Sequence, residues 1–270
     1  MTDRTFPLKL TTGAEKRLKS IRRPMEGVKN ILKFNWHFYV LSIILAVALT
    51  FLLPFSPVLA GIVYLMVITW TWLSLLVSYL VYDVSSLYRY RWLLEELPSE
   101  PANILNIHAG FDETSRALVT MFPRAHLKVF DFFNAERNTE VSIKRARAAW
   151  LQRMALEGAP VEPIAVDLSG WNLADDSQDL VVVFMAAHEL RKASDRDTFF
   201  GEMHRVLCPG GKVVVVEHLR DKWNFLAFGP GFLHFFPRAE WLRLAEKSNF
   251  AVAKERTIAG FVQVFYLCKQ

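Results

Sequence analysis

The chain has 270 residues, 52% of them hydrophobic and 13% aromatic, with a formal net charge of +5. So large an apolar share excludes an intrinsically disordered chain. Its two cysteines, Cys208 and Cys268, stand far apart, which excludes a disulfide framework and a four-cysteine zinc site and points to a reducing compartment.

Residues 1–33 hold nine Lys or Arg against three acids, a net of +6, so the rest of the chain nets −1. The basic character therefore belongs to an N-terminal arm. The 49 residues 34–82 contain no Asp, Glu, Lys or Arg. A helix crosses a bilayer with about 20 apolar residues, so this run is long enough for two crossings. Leu53-Pro54-Phe55-Ser56-Pro57 supplies the turn, because two prolines remove two backbone donors and break the helix. The predicted crossings are 36–53 and 58–82. A helical hairpin inside a soluble core would carry charges at its helix ends, and a cleaved signal peptide would start earlier and finish at a small-residue site. A basic arm beside a membrane segment lies on the cytoplasmic side. Two crossings return the chain there, so the expectation is a multi-pass membrane protein with its N-terminus and main domain cytoplasmic. The arm suits anionic head groups. Since the remaining chain is not basic, no nucleic acid partner is expected.

Residues 84–101 read as an interfacial linker. Tyr88, Arg89, Tyr90, Arg91 and Trp92 suit head-group depth, and Leu97-Pro98-Ser99-Glu100-Pro101 then breaks the chain. From 102 to 270 strands and helices alternate. Strands are predicted at 103–108, 126–130, 163–166, 179–184, 211–217, 252–257 and 262–268. Helices are predicted at 113–121, 139–157, 195–207 and 238–248. This is an α/β pattern: a mostly parallel sheet with helices on both faces, closed by an antiparallel hairpin. Ligands of such sheets bind at the carboxyl ends of the strands.

Two stretches carry a resemblance. Glu202-Met203-His204-Arg205-Val206-Leu207-Cys208-Pro209-Gly210-Gly211 resembles the E-x-x-R-V-L-x-P-G-G stretch of class I S-adenosylmethionine-dependent methyltransferases. Asp175-Asp176-Ser177-Gln178-Asp179-Leu180-Val181 resembles their D-x-S-F-D-L-V entry to the fourth strand. The nearest neighbours are the methyltransferases of quinone and lipid biosynthesis. The resemblance implies a Rossmann-like class I methyltransferase sheet over 102–270, and S-adenosylmethionine as cofactor. The family's glycine-rich loop corresponds to 106–115, where Asn106 replaces the acid, His108 stands at a glycine position, and only Ala109 and Gly110 remain small. These four are the implied cofactor loop. Asp131 takes the place of the acid that accepts the ribose hydroxyls, with Phe132 beside it for adenine. Asp167 and Leu168 correspond to the adenine contact, and Met185 ends the fourth strand.

Methyl transfer is an in-line displacement that mainly needs positioning. A base is required when the nucleophile must lose a proton. His188-Glu189 follows the fourth strand and Glu217-His218 ends the fifth. His188 is the expected base, with His218 as the other candidate and Glu217 beside them. His188, Phe228 and His234 are expected to face the substrate. The His–Glu pairs raise metal ligation, but no spacing puts two of them on one helix face, so no metal is expected. The apolar, aromatic stretch 223–236 reads as a lid or membrane-dipping wall for a lipid-soluble substrate. The expected function is a membrane-anchored methyltransferase acting on a hydrophobic, membrane-soluble small molecule of quinone, lipid or isoprenoid type. The alternative is a catalytically inactive accessory protein of the same fold. A nucleotide-dependent oxidoreductase is disfavoured by the missing GxGxxG, and no feature of the sequence specifies an oligomeric state.

Overall fold

The computed structural model describes residues 12–270, apart from the side chain of Leu52. Arg4 and Lys9 of the basic arm lie outside the described residues. The arm continues as α1 (Thr12–Ile21), which buries Ala14 and Leu18. Two long helices follow, α2 (Glu26–Leu52) and α3 (Pro57–Tyr79). Both are long and apolar enough to cross a bilayer. The turn falls at the expected prolines, with Pro57 in the first turn of α3, where its missing N–H costs nothing.

α2 starts ten residues before the predicted crossing. The reason is Asp83, the first charge after the apolar run. Its carboxylate accepts the N–H groups of Gly27 and Val28, each at 2.9 Å, and so caps the start of α2. Gly27 is required there: a Cβ would lie 2.4 Å from the Cβ of Tyr82. α2 kinks at Asn35 (φ −116°, ψ 18°). The Phe34 carbonyl beside the kink accepts from Arg145 Nη1 at 2.9 Å. Beyond this point α2, the turn and α3 present large apolar side chains outward, Phe51 at 73%, Phe55 at 85% and Trp72 at 70% exposed.

The junction departs from the expected interfacial helix. It folds as a π turn, Leu80–Val84, and two 3-10 turns, Leu87–Arg89 and Arg91–Leu94. Leu87, Tyr90, Trp92 and Leu93 are buried. Trp92 Nε1 donates to the Leu87 carbonyl at 2.8 Å, and Tyr266 donates to the Trp92 carbonyl at 2.7 Å. Tyr90 and Trp92 cover one face of the sheet.

The sheet has seven strands in the order β3-β2-β1-β4-β5-β7-β6. They are β1 (Asn103–His108), β2 (His126–Asp131), β3 (Ile164–Ala165), β4 (Gln178–Phe184), β5 (Leu207–His218), β6 (Phe250–Ile258) and β7 (Val262–Lys269). The first five pair in parallel, and β7 runs antiparallel between β5 and β6. Valine runs in β4 and β5 pair directly, Val181 with Val213 and Val183 with Val215. Both faces of these strands are buried, which explains continuous rather than alternating hydrophobicity. The helices α4 (Ser115–Met121), α5 (Val141–Glu157), α6 (Ala193–Val206) and α8 (Arg238–Lys247) connect them. The E-x-x-R motif has a structural role. Arg205 donates to the carbonyls of Trp171 and Leu173 and to Asp175, while Glu202 accepts the Trp171 N–H, pinning the turn before β4.

The stretch expected as a loop, 223–236, is instead a short helix, α7 (Lys222–Phe228), and a 3-10 turn, Gly229–His234. Asp221 caps α7 by accepting the Asn224 N–H at 2.8 Å. The helix docks on α3: Trp70 Nε1 donates to the Leu226 carbonyl at 2.9 Å, and the Trp70 and Phe225 rings meet edge-on at 5.6 Å.

Candidate active site

The carboxyl ends of β1, β2, β4 and β5 bring together two polar clusters. The first surrounds the loop after β1. Asn106 is fully buried. Its amide donates to Asp112 at 3.1 Å and to the Ser115 hydroxyl at 2.8 Å, and its carbonyl accepts from Thr114 at 2.8 Å. Asp112 also accepts the N–H groups of Thr114 and Ser115. These polar groups therefore tie the loop to the start of α4. His108 Nδ1 accepts the Gly110 N–H at 3.0 Å, its ring packs 5.3 Å from Trp150, and its Nε2 is buried without a partner. Burial pushes the His108 imidazole below its usual range despite Asp112 and Asp131 nearby.

Asp131 ends β2 and is buried. One oxygen accepts the Phe133 N–H at 2.9 Å, and the other accepts from Arg147 Nη1 on α5 at 2.5 Å. Gly110 adopts φ +82°, which favours glycine. A Cβ there would meet Arg147 Nη1 at 2.7 Å and the Phe133 ring at 3.0 Å. Arg147 in turn lies 4.3 Å over the Phe133 ring. The acid and the open backbone are thus both present and both covered by one guanidinium.

The remaining cofactor candidates fall apart. Ala109 and Leu168 are buried in the core. The Asp167 carboxylate is exposed, 3.7 Å from Arg137. Phe132 is a correction: it is 1% exposed and packs edge-on to Phe199 at 5.3 Å, so it faces the core, and Phe133 faces Gly110 instead. Met185 turns the chain out of β4 with φ 50°, its N–H bonded to the Val216 carbonyl.

The second cluster joins four segments: the turn after β4, the end of β5, the 3-10 turn after α7 and the start of α5. His188 Nδ1 lies 2.6 Å from Glu217 Oε2, and the His188 N–H donates to Glu217 Oε1 at 3.2 Å. His188 Nε2 lies 3.5 Å from Glu189 Oε1. His234 comes from the 3-10 turn after α7. Its Nδ1 is 2.9 Å from Glu140 Oε1, and its Nε2 is 3.6 Å from the same Glu189 oxygen. Burial alone lowers the His188 imidazole, but Glu217 and Glu189 outweigh it and push it up to about 10. Burial likewise opposes, and the bonds to Glu140 and Glu189 override, so His234 is raised. Against burial, the two imidazoles hold Glu189 well below the usual carboxylate range.

Two expected base roles change accordingly. His188 keeps its proton at neutral pH, so in this arrangement it donates rather than accepts. His218 has no free nitrogen: Nε2 meets the Tyr82 hydroxyl at 2.7 Å, and Nδ1 meets Asn224 Oδ1 and the Phe261 carbonyl at 3.0 Å each. Burial pushes its imidazole down to about 4. His218 is a structural tie between the π turn that follows α3 and β5. Phe228 packs on the His218 ring at 5.4 Å. Sequence reasoning missed Arg147, Glu140 and Tyr82. Each reaches the site from a distant element, and none belongs to a motif.

The seven-stranded order with its single antiparallel strand, the acid at the end of β2 and Pro209-Gly210-Gly211 in the first residues of β5 make a Rossmann-like sheet consistent with the class I methyltransferase fold. Residues 128–215, from β2 into β5, match the family described as a methyltransferase domain. No curated protein matches the sequence. Among solved structures, a SAM-dependent methyltransferase from Aquifex aeolicus is 15% identical with a TM-score of 0.46, covering 62% of this chain and 81% of that one. A protein from Pyrococcus horikoshii OT3 is 15% identical with a TM-score of 0.48, covering 66% and 86%. A SAM-dependent methyltransferase from Methanosarcina mazei is 19% identical with a TM-score of 0.46, covering 63% and 93%.

S-adenosylmethionine is the cofactor to which the methyltransferase-domain match points, and the residues present fit it conditionally. Asp131 supplies the carboxylate for ribose hydroxyls, and Gly110 supplies a backbone free of a side chain. Arg147 occupies the space that both need. Its long stem rises from α5 and its side chain is 27% exposed, so the fit requires only that this side chain turn away.

Proposed function

We propose that the protein is a membrane-anchored methyltransferase acting on a hydrophobic, membrane-soluble small molecule of the quinone, lipid or isoprenoid type. The observation that carries this reading is the docking of the apolar hairpin on the segment after β5. Trp70 of α3 bonds α7, and Tyr82 bonds His218 at the end of β5. The hairpin therefore stands directly beside the strand ends where ligands of such sheets bind. Trp223, Phe225 and Leu226 of α7 are exposed next to α3. A contiguous exposed apolar surface of this kind supports contact with lipid. The excess of Lys and Arg before the first crossing supports a cytoplasmic N-terminus and catalytic domain.

When bound, S-adenosylmethionine would supply an activated methyl group for in-line transfer to the acceptor, with S-adenosylhomocysteine as the leaving product. The chain's part is to hold the acceptor in line and keep water out. Asp131 and Gly110 are placed for the cofactor once Arg147 releases them. His188, Glu189 and His234 are placed for the acceptor. The test is mass spectrometry of the lipid fraction from cells with and without the gene. The reading expects a species lighter by one methylene to accumulate in its absence. An unchanged lipid fraction alongside a changed aqueous metabolite would overturn the membrane-soluble acceptor.

A further inference from the structure

We infer that His188, Glu189 and His234 form a binding site for one divalent transition-metal ion, zinc above all, with a fourth position left for water or a substrate oxygen. Their ligand atoms all lie within 4.8 Å of one another. Two of the three separations, 3.5 and 3.6 Å, converge on Glu189 Oε1. Tetrahedral ligands about 2.0–2.1 Å from a zinc ion stand roughly 3.3–3.4 Å apart, so these edges need little change. The third closes with a small rotation of His234, which is half-buried on its 3-10 turn.

The orientation of the rings is the independent observation. Each imidazole has a carboxylate at Nδ1, Glu217 for His188 and Glu140 for His234. An Nδ1–H donated to a carboxylate fixes the tautomer and leaves the Nε2 lone pair forward, the outer arrangement that metal-binding histidines use. Both Nε2 atoms then face one carboxylate oxygen. Lone pairs do not converge on an anion unless a cation sits between them. Two protons can fill that role, one on each ring, or one divalent ion can.

The spacing argument from sequence pointed away from a metal because no two of these residues share a helix face. The ligands come instead from the turn after β4 and the turn after α7, which the adjacent ends of β4 and β5 bring together. A metal here would lower the pKa of a bound hydroxyl. That consequence, an acceptor bearing a ring or chain hydroxyl, rests on the methyltransferase reading; the site itself does not.

The test uses the full chain in detergent, free of affinity tags and stripped by chelator, titrated with Zn²⁺ in competition with a chromophoric chelator. One tightly bound equivalent is expected, with proton release. Glu189→Gln and His234→Gln should each weaken binding by more than about 100-fold. Glu217→Gln, which removes no ligand, should weaken it about 10–100-fold. His204→Gln, away from the cluster, should leave it unchanged. Co²⁺ should give visible d–d bands without thiolate charge transfer. Absence of stoichiometric zinc, or binding indifferent to Glu189→Gln and His234→Gln, overturns the site. His234→Gln lies on a surface turn, and a near-UV spectrum matching the parent keeps a loss of zinc from being read as unfolding. Zinc binding with labelled methyl transfer unaffected by chelator overturns the metal's part in the reaction only, and absent zinc leaves the methyltransferase reading standing.

Discussion

Replacing Arg147 with Ala should tighten S-adenosylmethionine binding. Arg147 Nη1 sits 2.5 Å from Asp131 Oδ2 and 2.7 Å from where a Gly110 Cβ would be. A ligand that reaches Asp131 must first break that bond. Hydrogen bonds to charged groups contribute about 1.5–3 kcal/mol. Asp131 is nearly enclosed and Arg147 about a quarter exposed, so screening trims the gain only in part. At 1.4 kcal/mol per tenfold, the variant should bind about 10–100-fold more tightly. Arg147→Lys, which keeps a charge but loses the planar fork, should fall between. Titration calorimetry of the detergent-solubilised chain with S-adenosylmethionine and with S-adenosylhomocysteine reads both. An affinity that falls in Arg147→Ala would make Arg147 a cofactor contact and refute the covering role. An unchanged affinity would mean the Asp131 carboxylate is not used by the ligand.

Tyr82→Phe leaves the buried His218 Nε2 without a partner and should cost about 1–3 kcal/mol, seen as a lower melting temperature in detergent; an unchanged melt would remove this tie between the π turn after α3 and β5. The depressed His218 imidazole sets a direction with pH. The unfolded chain takes up that proton near pH 6.5, the folded one only near 4, so its contribution is present above about 6.5 and lost as pH falls toward 4. A His218→Gln chain should lose stability less steeply across that window, and equal slopes would contradict the assignment. The apolar hairpin should hold the protein in the membrane fraction through an alkaline carbonate wash, and release by salt alone would show a peripheral protein.

The sheet was legible because buried parallel strands favour unbroken β-branched runs, as in residues 181–183 and 213–216. The charge-free stretch and its prolines likewise placed two apolar helices and their turn. The cap on α2 was not legible, because Asp83 reaches Gly27 only after the hairpin closes. The burial of Tyr90 and Trp92 was not legible for a different reason. Rings with one polar atom suit both a head-group layer and an apolar sheet face, and the carbonyls of Leu87 and Glu113, which accept from them, lie in the latter. Phe132 and Phe133 are both plausible partners of a ligand by type. The bond from Asp131 to the Phe133 N–H turns the chain just after β2 and decides which ring faces Gly110. The protonation of His188 depends on Glu217, one strand over and 29 residues away, a proximity that only the pairing of β4 with β5 creates.

The most direct measurement is transfer of a labelled methyl group. The purified chain, reconstituted into vesicles made from the organism's own lipid extract, is supplied with methyl-labelled S-adenosylmethionine, and the label is followed into the organic phase. The account predicts enzyme-dependent label in a lipid-soluble product, abolished or strongly reduced in Asp131→Ala. Label confined to water-soluble products, or transfer indifferent to Asp131, would contradict it.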